Sequence, residues 1–510
     1  MLLHEAFEAS CERLPDKTAI VCGHERIAYG ELARRVAALA ALLHARGVGR
    51  GERVALFLES SVEFAVAVHA VLRLGAAFMP VSSLTKADKL AYILVDTRCT
   101  ALLTQSHLRG VWHDALQRSP CVTSCVVAGE SGAGAEDDRL LGWPDAASAV
   151  STGARCHDLI DQDLAAIIHT SGTTGLPKGV MLTHLNMRSA WNSVQAYLGL
   201  REDDVIGLAL PPAFSYGLYY LLMALGLGAT LVLERSVAFP VKVAQTLARE
   251  RVTVFPGVPT LHAALLELNG IAAHDLSALR IVTNAAAALP DVHLQRLREL
   301  WPQARLFSMY GMTECKRISY LPPEQLAMRP TSVGRGMPNQ ECWLIDEFGR
   351  RLPNGSTGEL VVRGSHVMRG YWEKPVETAE RLKPGAVQGE RILHTGDIFR
   401  TDAEGWLYFV ARSDDIIKTR GEKVAPREVE NAIQALDGVL ECAVIGVPDA
   451  RLGQAVKAYV VRKPESSLTE REVIRHVLSR LESYMAPQSV VFADALPRTD
   501  SGKIRKAGLQ

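Results

Sequence analysis

The stretch HTSGTTGLPKGVMLTH, from His169 to His184, packs Gly172, Gly175 and Gly179 among hydroxyl side chains around a single lysine, Lys178. Successive glycines let backbone N–H groups converge on an anion, and Ser171, Thr173 and Thr174 add hydroxyl donors. Such a composition suits a loop that wraps phosphate. A Walker loop needs Gly-Lys followed by Ser or Thr, whereas Lys178 follows Pro177 and precedes Gly179, so the standard nucleotide-hydrolase loop is excluded. The bland alternative is an ordinary Gly/Thr turn between a strand and a helix. It would account for a loose cluster, but poorly for every position of TSGTTGLPKG at once.

On both sides of this loop the chain alternates. GERVALFLE (51–59) reads as a buried strand, SVEFAVAVHAVLRLG (61–75) as a helix and AAFMPV as the next strand. The same rhythm returns at TALLTQ (100–105), DVIGLAL (204–210), ATLVLE (229–234), VTVFPGV (252–258) and LRIVTNA (279–285). Strands alternating with helices predict a largely parallel α/β architecture. Residues 129–158, poor in large apolar side chains, read as a long surface connection. After about residue 335, ECWLIDEFGRRLPNGSTGELVVRG shows short strands split by turn residues, which predicts a β-rich subdomain. From Arg427 onward, REVENAIQAL, VLECAVIGV, QAVKAYVV and TEREVIRHVLSRL restore helix–strand alternation in a length sufficient for a small α+β domain.

The totals narrow the class. A chain of 510 residues predicts two or more domains. Lys+Arg and Asp+Glu both number 56, so charge does not point to nucleic acid or an anionic membrane surface. Nine cysteines without CxxC or zinc-like spacing read as reduced thiols of a cytoplasmic protein. The N-terminal stretch carries Glu5 and Glu8 where a signal peptide needs an apolar run, so it reads as an amphipathic helix. The apolar run at 64–81 contains His69 and Arg73, and the run at 219–233 is shorter than the ~18 residues of a spanning helix, so no membrane span is expected.

TSGTTGLPKGV resembles the signature of the AMP-forming acyl/aryl-CoA synthetase, adenylation-domain and luciferase superfamily. YGMTE (310–314), GELVVRG (358–364), TGD (395–397), RSDDIIKTRGEKVAPREVE (412–430) and PRTDSGKIRK (497–506) match further motifs of that family, in its order. The resemblance covers the chain from about residue 5 to 506. It implies an α/β fold with a large N-terminal domain over 1–413, including the β-rich subdomain at about 335–411, and a small mobile C-terminal domain over 414–510. The implied chemistry has two halves. A carboxylate attacks the α-phosphate of ATP to give an acyl adenylate and pyrophosphate, and a thiol then displaces AMP.

The resemblance also assigns residues. Lys503 is the expected adenylation lysine, a point charge suited to bridging two anions; outside this context it would read as a tail lysine beside Arg505 and Lys506. Glu314 is the expected Mg2+ carboxylate, sufficient for a hard cation that takes few protein ligands, with Thr313 as a phosphate contact. Thr170, Ser171, Gly172, Thr173, Thr174 and Gly175, with Lys178 in a secondary role, would close over the departing β- and γ-phosphates. Tyr310, with Gly311, would pack on adenine. Asp397 would accept from both ribose hydroxyls, as an ionised carboxylate can, and Arg412 would be a second ribose or phosphate contact. Asp414 is the implied hinge of domain rotation. Lys418 and Gly421 would belong to the face that meets the incoming thiol of coenzyme A or of a carrier-protein phosphopantetheine, where glycine allows close approach.

The acyl pocket departs from the family's pattern. In LALPPAFSYGLYY (208–220), Phe214 stands where many CoA ligases carry histidine. Phe214-Ser215 replaces the Phe-Asp of amino-acid-activating relatives, which disfavours a free α-amino acid. NAAAALP (284–290) replaces a glycine-rich loop, and Met309 a common glycine. Side chains at Ala285, Ala286 and Met309, with Met312 nearby, should narrow the channel and favour a compact acid over a long-chain one. Lys316 reads as a surface lysine, with a substrate anion as the alternative partner. The leading expectation is an ATP-dependent carboxylate–CoA ligase, with a small acid, ATP and CoA as its partners; a homodimer is compatible with it. A stand-alone enzyme loading a carrier protein in trans is the runner-up. A catalytically lost nucleotide-binding regulator is disfavoured because Glu314, Asp397 and Lys503 are all present, and a luciferase-like monooxygenase has no positive support.

Overall fold

The structure, a computed structural model, describes residues 2–129, 137–146, 154–170, 176–285, 289–419, 422–449, 451–499 and 504–509. The chain forms two units, one of residues 1–330, 336–341 and 363–391, the other of residues 331–335, 342–362 and 392–510.

Two mainly parallel sheets organise the first unit, as the alternation predicts. One sheet has, in spatial order, Ser319–Leu321, Arg305–Tyr310, Ile281–Asn284, Val254–Gly257, Val205–Leu208, Thr230–Leu233, Thr18–Cys22 and Glu25–Ala28. The other runs Gly370–Tyr371, Lys178–Thr183, Leu164–Thr170, Ala77–Val81, Arg53–Phe57, Ala101–Gln105, Ser124–Ala128 and Leu140–Gly142. Interior strands such as Ala77–Val81 are buried at every residue, which is why they read as unbroken apolar runs rather than alternating ones. The apolar runs flagged as membrane candidates are core helices, Val62–Arg73 and Ser215–Leu227, each with a following strand. Among the described residues no helix is long and apolar enough to cross a membrane.

The stretch at 169–184 departs from the strand-to-helix turn set against it above. Leu164–Thr170 and Lys178–Thr183 are antiparallel, so their connection is a hairpin. The helix His184–Leu198 starts only after the second strand, where Thr183 accepts from the Asn186 backbone N–H at 3.1 Å and Asn186 Oδ1 accepts from Thr183 N at 2.9 Å. This reciprocal cap satisfies two donors that the helix start would otherwise leave open. Among the described residues of the connection at 129–158, Leu140–Gly142 forms a short strand paired in parallel with Ser124–Ala128.

In the second unit, Thr357–Gly364, Arg391–Thr401 and Leu407–Arg412 form an antiparallel array, as expected of the β-rich segment. A further sheet orders Glu422–Val424, Ile417–Thr419, Gly453–Arg462 and Val439–Asp449, with Ser489–Phe492 pairing on Gly453–Arg462. Helices Pro426–Gln434 and Glu470–Leu478 bury Val429, Ile433, Val473 and Val477 in a core shared with its strands.

Several histidines are buried in the first unit. His69 (1% exposed) donates from Nδ1 to the Ala65 carbonyl at 2.8 Å, and His262 (0% exposed) from Nε2 to the Thr283 carbonyl at 3.2 Å. Burial lowers both to about 4 from 6.5. The unfolded chain therefore takes up protons below pH 6.5 while the folded chain resists them until about pH 4. The stability that these neutral rings confer is complete above pH 6.5 and is lost as pH falls through that window, by about 2 kcal/mol per ring at pH 5. Thermal melts should give a clearly lower Tm at pH 5.0 than at pH 7.5; a Tm unchanged over that range would contradict this account.

Candidate active site

Val205–Leu208, Val254–Gly257, Ile281–Asn284 and Arg305–Tyr310 are parallel, so their carboxyl ends share one edge. In open α/β sheets such an edge is where ligands bind. Three segments singled out in the sequence gather there. Phe214 precedes the helix Ser215–Leu227 and supplies no side-chain cap to it. Buried Ala285 follows Asn284, while Ala286 lies outside the described residues. Met309 and Tyr310 end the strand Arg305–Tyr310, and Gly311, Met312 and Thr313 open the loop beyond it, half-buried. That loop reverses tightly, with Ile318 N donating to the Tyr310 carbonyl at 2.9 Å. A Cβ at Gly311 would stand 2.3 Å from the Lys316 carbonyl oxygen and 2.8 Å from Arg317 Cα, so only glycine fits.

The same loop carries Glu314, which is 8% exposed. Its Oε1 accepts from the Tyr371 hydroxyl at 2.8 Å, and its carbonyl accepts from Met368 N at 2.7 Å. Burial first, and the Glu314 charge second, push the Tyr371 phenol above its ordinary range, so it remains a donor. Tyr371 belongs to the strand Gly370–Tyr371, which pairs antiparallel with Lys178–Thr183. Lys178 Nζ lies 5.7 Å from the centre of the Tyr371 ring. The Asn186 side-chain amide donates to the Ser365 and Val367 carbonyls, both at 2.8 Å, and so anchors the segment leading to Tyr371. Lys178, Tyr371 and Glu314 thus form one continuous contact, and Glu314 Oε2 has no partner among the described residues. Tyr371 was not singled out from the sequence; the RGYW stretch at 369–372 was its only signal. Thr170 Oγ1 donates to the Lys178 carbonyl at 3.4 Å across the hairpin. Ser171, Gly172, Thr173, Thr174 and Gly175 lie outside the described residues.

In the second unit, Asp397 and Arg412 are cross-strand partners, with Arg412 Nε 3.5 Å from Asp397 Oδ1. The carboxylate is mostly buried and the guanidinium largely exposed. Asp414 falls in the 3-10 turn Ser413–Asp415, between the strands Leu407–Arg412 and Ile417–Thr419. Lys418 is exposed, and its backbone N–H donates to Gln454 Oε1 at 2.7 Å. Gly421 and Lys503 lie outside the described residues.

Residues expected from sequence to line an acyl pocket meet a group of tyrosines in the first unit. The Tyr197 hydroxyl donates to Met309 Sδ at 3.0 Å, and the Tyr197 and Tyr320 rings stack at 3.9 Å. The hydroxyls of Tyr216 and Tyr220 lie 2.7 and 2.9 Å from Thr283 Oγ1. Lys316 overturns its reading as a surface lysine. It is 5% exposed, its backbone takes a left-handed φ of +61°, and Nζ donates to the Ser215 carbonyl at 2.7 Å. Burial, reinforced by the adjacent Arg317 charge, holds the ammonium well below the usual lysine range. Three tyrosines spaced as on one helix face in SYGLYYLLM were the available sign that this polar interior existed.

Comparisons with known proteins identify the family. The family "AMP-binding enzyme" matches residues 7–372, and "AMP-binding enzyme C-terminal domain" matches residues 428–503. Tyrocidine synthase 2 of Brevibacillus parabrevis is 30% identical over 99% of this chain, which spans only 14% of that much longer protein. The 3-[(3aS,4S,7aS)-7a-methyl-1,5-dioxo-octahydro-1H-inden-4-yl]propanoyl:CoA ligase of Rhodococcus jostii (strain RHA1) is 32% identical, with 98% of this chain and 96% of that one aligned. Among solved structures, the anthranilate CoA ligase AuaEII in complex with anthranoyl-AMP is similar with a TM-score of 0.89 at 27% identity, covering 100% of this chain and 96% of that one. With a family match over most of its length and relatives among both acid–CoA ligases and synthetases, the chain belongs to the AMP-binding enzyme family of adenylate-forming ligases.

Proposed function

We propose that the protein activates a compact carboxylic acid with ATP and transfers the acyl group to the thiol of coenzyme A. The observation that carries this reading is the buried Glu314 carboxylate, held by Tyr371 at the carboxyl edge beside Lys178. In the first half-reaction the acid's carboxylate oxygen attacks the α-phosphorus, the α–β phosphoanhydride bond breaks, and pyrophosphate leaves. In the second, the thiol sulfur attacks the acyl carbon, the thiol gives up its proton, and AMP departs with the carbon–oxygen bond's electrons.

The donor set fits magnesium. One carboxylate with a vacant oxygen, completed by substrate phosphates, suits a hard cation that keeps few protein ligands. Glu314 would hold it, and the bound ion would supply positive charge against the phosphates. Tyr371 fixes the orientation of that carboxylate, and Lys178 adds a cation 5.7 Å from the centre of the Tyr371 ring. Asp397 with Arg412 would grip the ribose, and Tyr310 would stack on adenine. Lys503 would bridge carboxylate and α-phosphate in the first half-reaction. Rotation about Asp414 would then withdraw it and bring Lys418 and Gly421 to the incoming thiol, a gating step that lets one pocket serve two reactions.

Met309 and Ala285 are both buried, and side chains there in place of glycine support a compact acid. Full-length alignment with an acid–CoA ligase supports free CoA as acceptor, whereas similarity to synthetases keeps a carrier-protein thiol as the second reading. A pyrophosphate-release screen over aryl, short-chain, long-chain and amino acids tests the substrate class, and thioester assays with CoA against a holo carrier protein decide the acceptor.

Lys503→Ala should abolish acid-dependent pyrophosphate release yet leave thioester formation from supplied acyl adenylate largely intact; equal loss of both would sink the division of labour. Tyr371→Phe, which loosens Glu314 without removing it, should raise the Mg2+ concentration for half-maximal pyrophosphate release by about tenfold. An unaltered Mg2+ titration would show that Tyr371 does not position this carboxylate.

A further inference from the structure

Lys316 and Arg317 are buried side by side, 5% and 3% exposed, and neither forms an ion pair among the described residues. What surrounds them is aromatic and neutral. Lys316 Nζ, bonded to the Ser215 carbonyl, lies 4.5 Å from the ring centre of Tyr219 and 5.3 Å from that of Tyr216. The Arg317 guanidinium carbon lies 5.2 Å from the Tyr216 ring centre, and the buried Arg317 Nε has no hydrogen-bond partner. Ring faces attract cations, but such contacts offset only part of the loss of hydration on burial. Two adjacent buried cations with no carboxylate are costly, because charges inside proteins are ordinarily paired.

Their position says what could pair with them. The Lys316–Arg317 backbone packs directly on Gly311, within the loop that presents Glu314. Lys316 is tied to Ser215, and Tyr216 and Tyr220 hold Thr283 at the carboxyl end of its strand. The side-chain helix cap is missing where Ser215 begins its helix, which leaves the partial positive charge of that terminus uncompensated on the same side. Lys316, Arg317 and the helix start favour an anion, and they meet at the elements that carry the acyl-pocket residues Ser215 and Met309.

We propose that Lys316 and Arg317 recognise a second carboxylate on the acid to be activated, so that the substrate is a compact dicarboxylic acid. One carboxylate reacts at the Glu314 end, and the other supplies the missing counter-charge to the buried pair. This assignment rests on the ligase reading and specifies its substrate class.

The test is ATP–pyrophosphate exchange with matched acids: compact aliphatic and aromatic dicarboxylates, each against the analogue in which one carboxylate is replaced by methyl. The wild-type protein should turn over at least one dicarboxylate with kcat/KM tenfold or more above that of its methyl analogue. Lys316→Met should shift this ratio at least tenfold toward the methyl acid, mainly through KM for the dicarboxylate, and Lys316→Arg should retain more of the preference. Preference for the methyl analogue across all pairs would overturn the dicarboxylate assignment and leave the ligase reading standing. An unchanged ratio in Lys316→Met would remove Lys316 from recognition, and the wild-type comparison stands even if that variant does not fold. Exchange with no acid of either kind would overturn the ligase reading, and the subsite with it.

Discussion

The site is organised around one hydrogen bond, from the Tyr371 hydroxyl to Glu314 at 2.8 Å. A carboxylate buried to 8% exposure cannot stand without a donor, and a hydrogen bond to a charged group contributes about 1.5–3 kcal/mol. This bond has a topological role as well. Glu314 leaves the carboxyl end of Arg305–Tyr310 in one sheet, and Tyr371 lies on the strand that pairs with Lys178–Thr183 in the other. It therefore joins the sheet that contains the antiparallel pair Leu164–Thr170 and Lys178–Thr183 to the carboxyl edge of the other. Gly311 and Asn186 support it from either side, the first by allowing the loop to reverse, the second by holding the segment before Tyr371.

Electrostatics then divide the first unit's site in two. At one end a carboxylate with a vacant oxygen, flanked by Lys178, suits polyphosphate and its metal. At the other, Lys316 and Arg317 sit among tyrosines without an acid. A molecule with a reactive carboxylate facing the first end and a second anion facing the other would satisfy both. The left-handed backbone at Lys316 is a strained conformation for a non-glycine residue, of the kind that persists where surrounding structure holds it and that gathers at binding sites.

Much of this was legible in the sequence, for physical reasons. Continuous apolar runs such as AAFMPV mark strands covered on both faces, and the structure has Ala77–Val81 there, buried throughout. LRIVTNA likewise holds the buried strand Ile281–Asn284, whose carboxyl end leads to Ala285, whereas the strand Arg305–Tyr310 before YGMTE was not read from the sequence. Partnership across space was less legible. Nothing local in RGYW says that Tyr371 reaches a glutamate far away in the chain, and Lys316, in a run of polar residues, looks solvated until the backbone turns it inward. The hairpin at 169–184 escaped for a related reason: its second strand, Lys178–Thr183, is short and runs straight into a helix, so its periodicity is that of the boundary.

The central claim is that a carboxylate oxygen attacks the α-phosphorus of ATP. Isotope transfer tests it directly. With the acid labelled with 18O in its carboxylate, complete turnover to the thioester should yield AMP carrying one 18O atom, and pyrophosphate carrying none. The bridging oxygen of the acyl adenylate stays on phosphorus when the thiol attacks carbon. ADP and labelled orthophosphate as products, or AMP free of label, would contradict the account.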